Sequence, residues 1–214
     1  MLQTIVRNAI GLGLFAMVTA GLIALTQSAT SDRIAEQQRQ AQASALWEIV
    51  PRGSHDNELL DDTFPLPDDP RLGHRGKPAK GWVARKEGEV LGVILPVVAR
   101  EGYSGDILLL VGIDRQGEIL GVRVTAHQET PGLGDGIERR KSDWITSFNG
   151  RSKSNTPAEA FKVKPDGGEF DAFSGATITP RAVVAAVRDS LAVFEEQRSY
   201  LLNPVTPSPG VANE

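Results

Sequence analysis

An α+β fold held on one membrane-spanning helix is the architecture that this chain of 214 residues predicts, and three observations predict it. Residues 8–31 form an uncharged, mostly apolar run. In the middle of the chain, two pairs of Val-, Ile- and Leu-rich segments are each broken by a short polar turn containing glycine. Near the end, one apolar stripe has helical spacing. An antiparallel sheet with helices packed on it accommodates the last two features, and the first supplies an anchor.

Taken in order, the 24 residues from Asn8 to Ser31 carry no charge, and at 1.5 Å per residue that is long enough to cross about 30 Å of hydrocarbon. A cleaved secretory signal fits less well, because Gln27-Ser28-Ala29 puts a bulky residue where small-x-small is needed. Residues 1–31 are therefore read as a transmembrane anchor that contacts lipid through residues 8–31. Arg7 precedes the span and Asp32 follows it, so the positive-inside rule puts the N-terminus in the cytoplasm. In a bacterium the rest of the chain would then lie on the periplasmic side of the inner membrane. Residues 32–50, rich in Ala, Gln and Glu with sparse Ile34, Leu46, Ile49 and Val50, read as a helix leaving the membrane. Pro51, Pro65, Pro67, Pro70 and Pro78 make 51–80 an irregular connection, and together 32–80 form a stalk and linker.

Residues 81–202 are the α+β domain. Gly81–Arg85 and Val90–Val98 flank Lys86-Glu87-Gly88-Glu89, while Asp106–Ile113 and Glu118–Thr125 flank Asp114-Arg115-Gln116-Gly117, which predicts two hairpins and four strands. Ile137, Trp144, Ile145 and Phe148 among charges predict short helices over 135–148. Val183, Val184, Val187, Leu191 and Phe194 then make one face of a helix from Pro180 to about Gln197, with Thr179 as its expected N-cap and Pro180 at its first position. Residues 203–214 hold three prolines without periodicity and are read as a disordered tail.

Composition narrows the chemistry. The chain has no cysteine and three scattered histidines, which excludes disulfides, thiolate metal sites and a cysteine nucleophile and leaves little for a histidine metal site, so no metal ligand is assigned. Any redox chemistry must come from an organic cofactor. A net charge of −4 without a basic stripe leaves no electrostatic footprint for nucleic acid. No Gly-x-Ser-x-Gly elbow is present, and Gly102-Tyr103-Ser104-Gly105 reads as a turn, so no catalytic residue is assigned.

Two constellations remain. In Asp171-Ala172-Phe173-Ser174-Gly175-Ala176-Thr177-Ile178-Thr179-Pro180, a hydroxyl-rich loop runs into the start of the last helix, where free N–H groups and the dipole attract a phosphate. On spacing alone, Ser174, Thr177 and Thr179 serve equally as mere caps. The loop lacks the lysine of a nucleotide-hydrolysing phosphate loop. The second constellation, His127-Gln128-Glu129-Thr130-Pro131-Gly132-Leu133-Gly134-Asp135-Gly136, follows a strand, and its glycines suit close backbone approach to something flat or bulky; an ordinary turn also explains them. His127 and Glu129 could pair as acid and base, though the commoner reading is a solvent-facing pair at a strand end.

An anchor, then His127-x-Glu129-Thr130-Pro131-Gly132-Leu133-Gly134, then Asp171-x-x-Ser174-Gly175-Ala176-Thr177 opening a helix, resembles the G subunit (RnfG) of the bacterial Rnf electron-transport complex from the anchor to the last helix. The hydroxyl-Gly-Ala-Thr motif is similar to the flavinylation site of the FMN-binding domain shared with the C subunit of the sodium-pumping NADH:quinone reductase. The Thr177-Ile178-Thr179-Pro180 continuation is closer to the Rnf protein, and the quinone-reductase protein is the rival within redox chemistry. A membrane-anchored module that holds a phosphorylated ligand reversibly is the rival outside it.

The resemblance implies FMN joined through its phosphate to the hydroxyl of Thr177, with Thr179 as the other possible attachment point. Ser174, Gly175, Ala176 and Thr179 would surround the phosphodiester, and a separate flavin transferase using FAD would recognise the Asp171 to Thr177 stretch. His127, Glu129, Thr130, Gly132, Leu133 and Gly134 would lie against the isoalloxazine ring, with Trp144 as a further apolar contact. It also implies a subunit that relays electrons between the other subunits of an ion-translocating ferredoxin:NAD oxidoreductase, with no independent activity.

Overall fold

The computed structural model describes residues 2–203; the tail expected from 203 onward lies, apart from Asn203, outside the described residues. The first helix, α1, runs from Leu2 to Ile49. Two compact units share the chain, Met1–Gln42 and Ala43–Glu214. In the first, Ile5–Ser31 is long and apolar enough to cross a membrane, and none of it is buried by the protein. Ile10, Leu12, Phe15, Met17 and Ile23 all stand exposed there. A helix apolar all round with no protein partner needs a different solvent.

The second unit is a five-stranded antiparallel meander. Its strands are β1 (Thr63–Pro65), β2 (Lys80–Lys86), β3 (Glu89–Ala99), β4 (Ile107–Asp114) and β5 (Ile119–Ala126), in that spatial order. The four expected strands are present within a residue or two. The additional β1 lies in the stretch read as irregular, pairing Thr63 with Trp82 and Pro65 with Lys80. Its proline sits at the edge of the sheet, where the missing N–H costs no ladder bond, which is why composition disguised it.

Side chains alternate across the sheet and build two cores. On one face Val83, Val93, Leu95, Val97, Leu109, Val111 and Val122 meet α2 (Ile178–Glu196), whose Val183, Val184, Val187, Leu191 and Phe194 form the predicted stripe. On the other, Trp82, Ala84, Ile94 and Leu110 meet Leu46, Ile49, Val50 and Leu59. Close approach on that second face depends on Gly112 and Gly121, which are register partners on β4 and β5. A Cβ on Gly112 would overlap the Cγ2 of Ile49.

Short 3-10 turns at Gly134–Ile137 and Trp144–Phe148 stand where short helices were expected, and Ile137, Ile145 and Phe148 enter the first core. A five-residue helix, α3 (Arg198–Leu202), closes the described chain. Because consecutive strands run in opposite directions, the β3–β4 loop and the segment leaving β5 emerge at the same end of the sheet. The N-terminus of α2 is brought to the same place.

Candidate functional site

At that end three segments converge on a cavity of about 160 Å³ lined by Tyr103, Glu129, Thr130, Leu133, Gly134, Gly175, Ala176 and Thr179. Glu129 ties the segments together. One carboxylate oxygen accepts the Ser104 N–H at 2.9 Å from the β3–β4 loop. The other accepts the hydroxyl of Thr179 from the first turn of α2. Both side chains are buried, Glu129 at 4% and Thr179 at 1% exposure.

The segment after β5 folds as a tight turn, with Leu133 and Gly134 N–H groups donating to the Thr130 carbonyl at 3.1 and 3.0 Å. Gly132 adopts φ 79°, open to glycine at little cost, and donates its N–H to Asp135 at 2.8 Å. Gly134 is needed for space: a Cβ there would stand 2.9 Å from the Glu129 Cβ and 3.0 Å from the Thr179 hydroxyl. Of the lining residues, Leu133 is left 48% exposed and Tyr103 68%. An apolar rim around a cavity with buried polar groups is the usual make-up of a small-molecule site.

His127 and Glu129 do not form the solvent-facing pair expected of them. The Glu129 backbone N–H donates to His127 Nδ1 at 3.0 Å, so the ring proton sits on Nε2, 3.0 Å from Glu138. The Glu129 carboxylate points the other way, into the cavity wall. Neither residue is placed by strand alternation, because both lie beyond the last ladder pair of β5. Arg140 also bonds Glu138; that guanidinium foremost, and then the His127 bond, hold its carboxyl below the usual carboxylate range against the opposing effect of burial.

The hydroxyl-rich loop lies one turn away. Gly175 has φ 79°, and a Cβ there would touch Leu133 at 3.7 Å; the Ala176 N–H closes the loop on Phe173 at 3.1 Å. Ser174 and Gly175 are exposed, and Ala176 and Thr177 half-buried. The N-cap of α2 is Thr177, not Thr179. Thr179 falls inside the first turn because Glu129 draws its hydroxyl into the core, a long-range contact that capping preference does not register. Thr177 makes no side-chain capping bond, so its hydroxyl stands beside the unpaired N–H groups that open every α-helix.

What holds this loop in place is the 134–148 segment. The Trp144 indole N–H donates to the Asp171 carbonyl at 2.8 Å. Its ring packs edge-on against Phe173 at 5.3 Å, and Phe173 in turn lies over Gly136, where a Cβ would come within 3.1 Å of the ring. Trp144 thus buttresses the loop from behind and does not line the cavity. Outside the loop, the exposed Asp171 pairs with Lys164 at 2.6 Å, and Arg181 pairs with Asp166 at 2.6 Å, holding that carboxyl below its usual range.

Sequence reading missed Tyr103 and the Ser104 N–H as parts of this site. The signal was available in the hairpin pattern, since the β3–β4 turn must emerge beside the end of β5. Among the described residues no group of three or more His, Asp or Glu side chains is arranged to hold a metal.

Comparison with known proteins agrees with the geometry. Residues 102–192 match the FMN-binding domain family, and residues 1–49 match the RnfG N-terminal region. A protein of Pseudomonas aeruginosa, named as the G subunit of an ion-translocating oxidoreductase complex, is 50% identical over 202 residues, 94% of each chain. Proteins of the same name from Vibrio vulnificus and Vibrio cholerae are 44% identical over 95% of each chain, and 41% identical over 98% of this chain and 100% of that one.

Proposed function

This chain belongs to the RnfG family, the G subunits of ion-translocating oxidoreductase complexes, and from that premise we propose that it is an electron-relaying flavoprotein carrying FMN as a phosphoester on Thr177. The observation that carries the reading is the Thr177 hydroxyl. It makes no side-chain capping bond and stands at the start of α2, next in sequence to Gly175 and Ala176, which line the cavity. A phosphodiester there is favoured by the helix dipole and the free first-turn N–H groups.

The residues present fit a flavin. A cavity of about 160 Å³ is smaller than those that enclose a whole ligand, so Tyr103 and Leu133 would cover part of a ring and leave an edge open. That suits a group which passes electrons to other proteins. The flavin supplies the redox chemistry when bound, and the chain's residues anchor it, position it and shape its surroundings. Glu129, Thr130 and Gly134 line the wall that the ring would face, with His127 and Gly132 bracing the same turn through the Glu129 backbone N–H and Asp135.

Residues 8–31 anchor the protein in the bacterial inner membrane, with the N-terminus cytoplasmic and the flavin domain periplasmic. Its partners are the other subunits of the complex, which couples ferredoxin and NAD exchange to ion movement, and a flavin transferase that reads Asp171 to Thr177. A covalent tether prevents loss of the flavin from that side.

Intact-mass spectrometry of protein made with its host's transferase, followed by mapping of the 165–188 peptide, tests the reading. One FMN phosphoester on the peptide containing Thr177 is expected. An unmodified chain from a transferase-competent host overturns it in favour of a reversible phosphate-binding module.

A further inference from the structure

We propose that Glu129 sets the reduction potential of the flavin, acting as a fixed negative charge in the cavity wall that holds the potential down. The inference rests on the flavin reading above and assigns a role to the one buried carboxylate that lines the cavity.

Its surroundings leave the charge uncompensated. Glu129 accepts from two neutral donors, the Ser104 N–H and the Thr179 hydroxyl. The cations nearby are engaged elsewhere, Lys141 with Asp135 at 3.3 Å and Arg140 with Glu138, and among the described residues Glu129 has no ion pair. His127 directs its Nδ1 to the Glu129 backbone N–H and its Nε2 to Glu138, so neither ring nitrogen is bonded to the Glu129 carboxylate. In a partly desolvated wall, such a charge acts at longer range and greater strength than in water.

Joining three segments does not by itself call for a charge. A glutamine at this position could accept from the Ser104 N–H through its amide oxygen and donate to the Thr179 oxygen through its amide nitrogen. A carboxylate is distinguished from that alternative only by its charge. A flavin held in this cavity would supply the one-electron chemistry, accepting the electron from a reduced partner protein of the complex, and the part of Glu129 would be to present its carboxylate in the wall that the ring would face. Like-charge repulsion opposes the uptake, and charge close to the ring is one of the main means by which proteins tune flavins.

The test uses the full-length protein loaded by its transferase, with covalent flavin read by in-gel fluorescence and the potential read by spectroelectrochemical titration. Glu129→Gln is expected to make the one-electron equilibrium about tenfold more favourable, a rise of about 59 mV. Thr179→Val keeps the carboxylate and removes one of its donors, so its potential is expected to stay or fall. Flavin-loaded E129Q with an unshifted or lowered potential overturns the proposal. So does a rise in T179V equal to that in E129Q, since displaced loops would then account for both. Should E129Q load no flavin, the T179V shift decides, an unchanged or lowered potential supporting the charge and a raised one overturning it. Absence of covalent flavin on the unmutated protein is a separate outcome that removes the flavin reading itself.

Discussion

Thr177 and Thr179 are two residues apart in sequence, and their hydroxyls face opposite environments. The first is half-buried and free of a capping partner, the second buried against Glu129. Thr177→Val should therefore abolish covalent flavin fluorescence while leaving the unfolding midpoint nearly unchanged, because no side-chain bond of Thr177 is lost. Thr179→Ala should act the other way: flavin is still attached, and stability falls because the buried Glu129 carboxylate loses a donor, by about 1–3 kcal/mol in denaturant titrations. Gly134→Ala adds a methyl between Glu129 and Thr179 where 2.9–3.0 Å is available. Overpacking of this kind costs about 1–3 kcal/mol, and flavin loading should drop with it. The motifs carrying Thr177 and Gly134 are readable from residue type, since hydroxyls and glycines at a helix start have local physics. The partners of Glu129 are not, because Ser104 and Thr179 lie 25 and 50 residues away.

Elements are held to the sheet by features of different legibility. The stripe of α2 follows from spacing, whereas the seat of Ile49 between β4 and β5 depends on Gly112 facing Gly121. Gly112→Val should lever this segment off the second core and lower stability by about 1–3 kcal/mol, seen as increased hydrogen exchange at Leu46 to Val50 with the α2 face protected as before. The turn after Gly134–Ile137 is charge-dependent. Because Arg140 and His127 lower the Glu138 carboxyl in the folded protein, its contribution is complete above the unfolded carboxyl value of about 4.3 and is lost as pH falls through the folded value. Between about pH 5 and 3 the melting temperature of the unmutated protein should therefore fall further than that of Glu138→Gln. Parallel curves would show that the pair contributes nothing. The short β1 strand marks the limit of reading at this scale. Three residues with a proline carry no periodicity, and they become a strand only because Trp82 offers its open edge.

At the scale of the molecule, the two units call for different solvents. Full-length protein should remain with membranes through alkaline carbonate washing, and a chain beginning at Ala43 should be soluble and fold, since both cores lie within that unit. A soluble full-length protein would count against residues 8–31 as an anchor. By itself, the sequence determined the apolar helix, the pairing of the hairpins and the face of α2. Each of these is set by hydrogen bonding and hydrophobic burial over a few neighbouring residues. Only the tertiary structure decided that Tyr103, Glu129 and Thr179 share one cavity, that Thr177 and not Thr179 caps α2, and that Trp144 braces the loop from behind. Those outcomes depend on which distant groups satisfy a buried carboxylate or fill the space a glycine leaves, and that is settled only once the sheet has brought its loops to the same end.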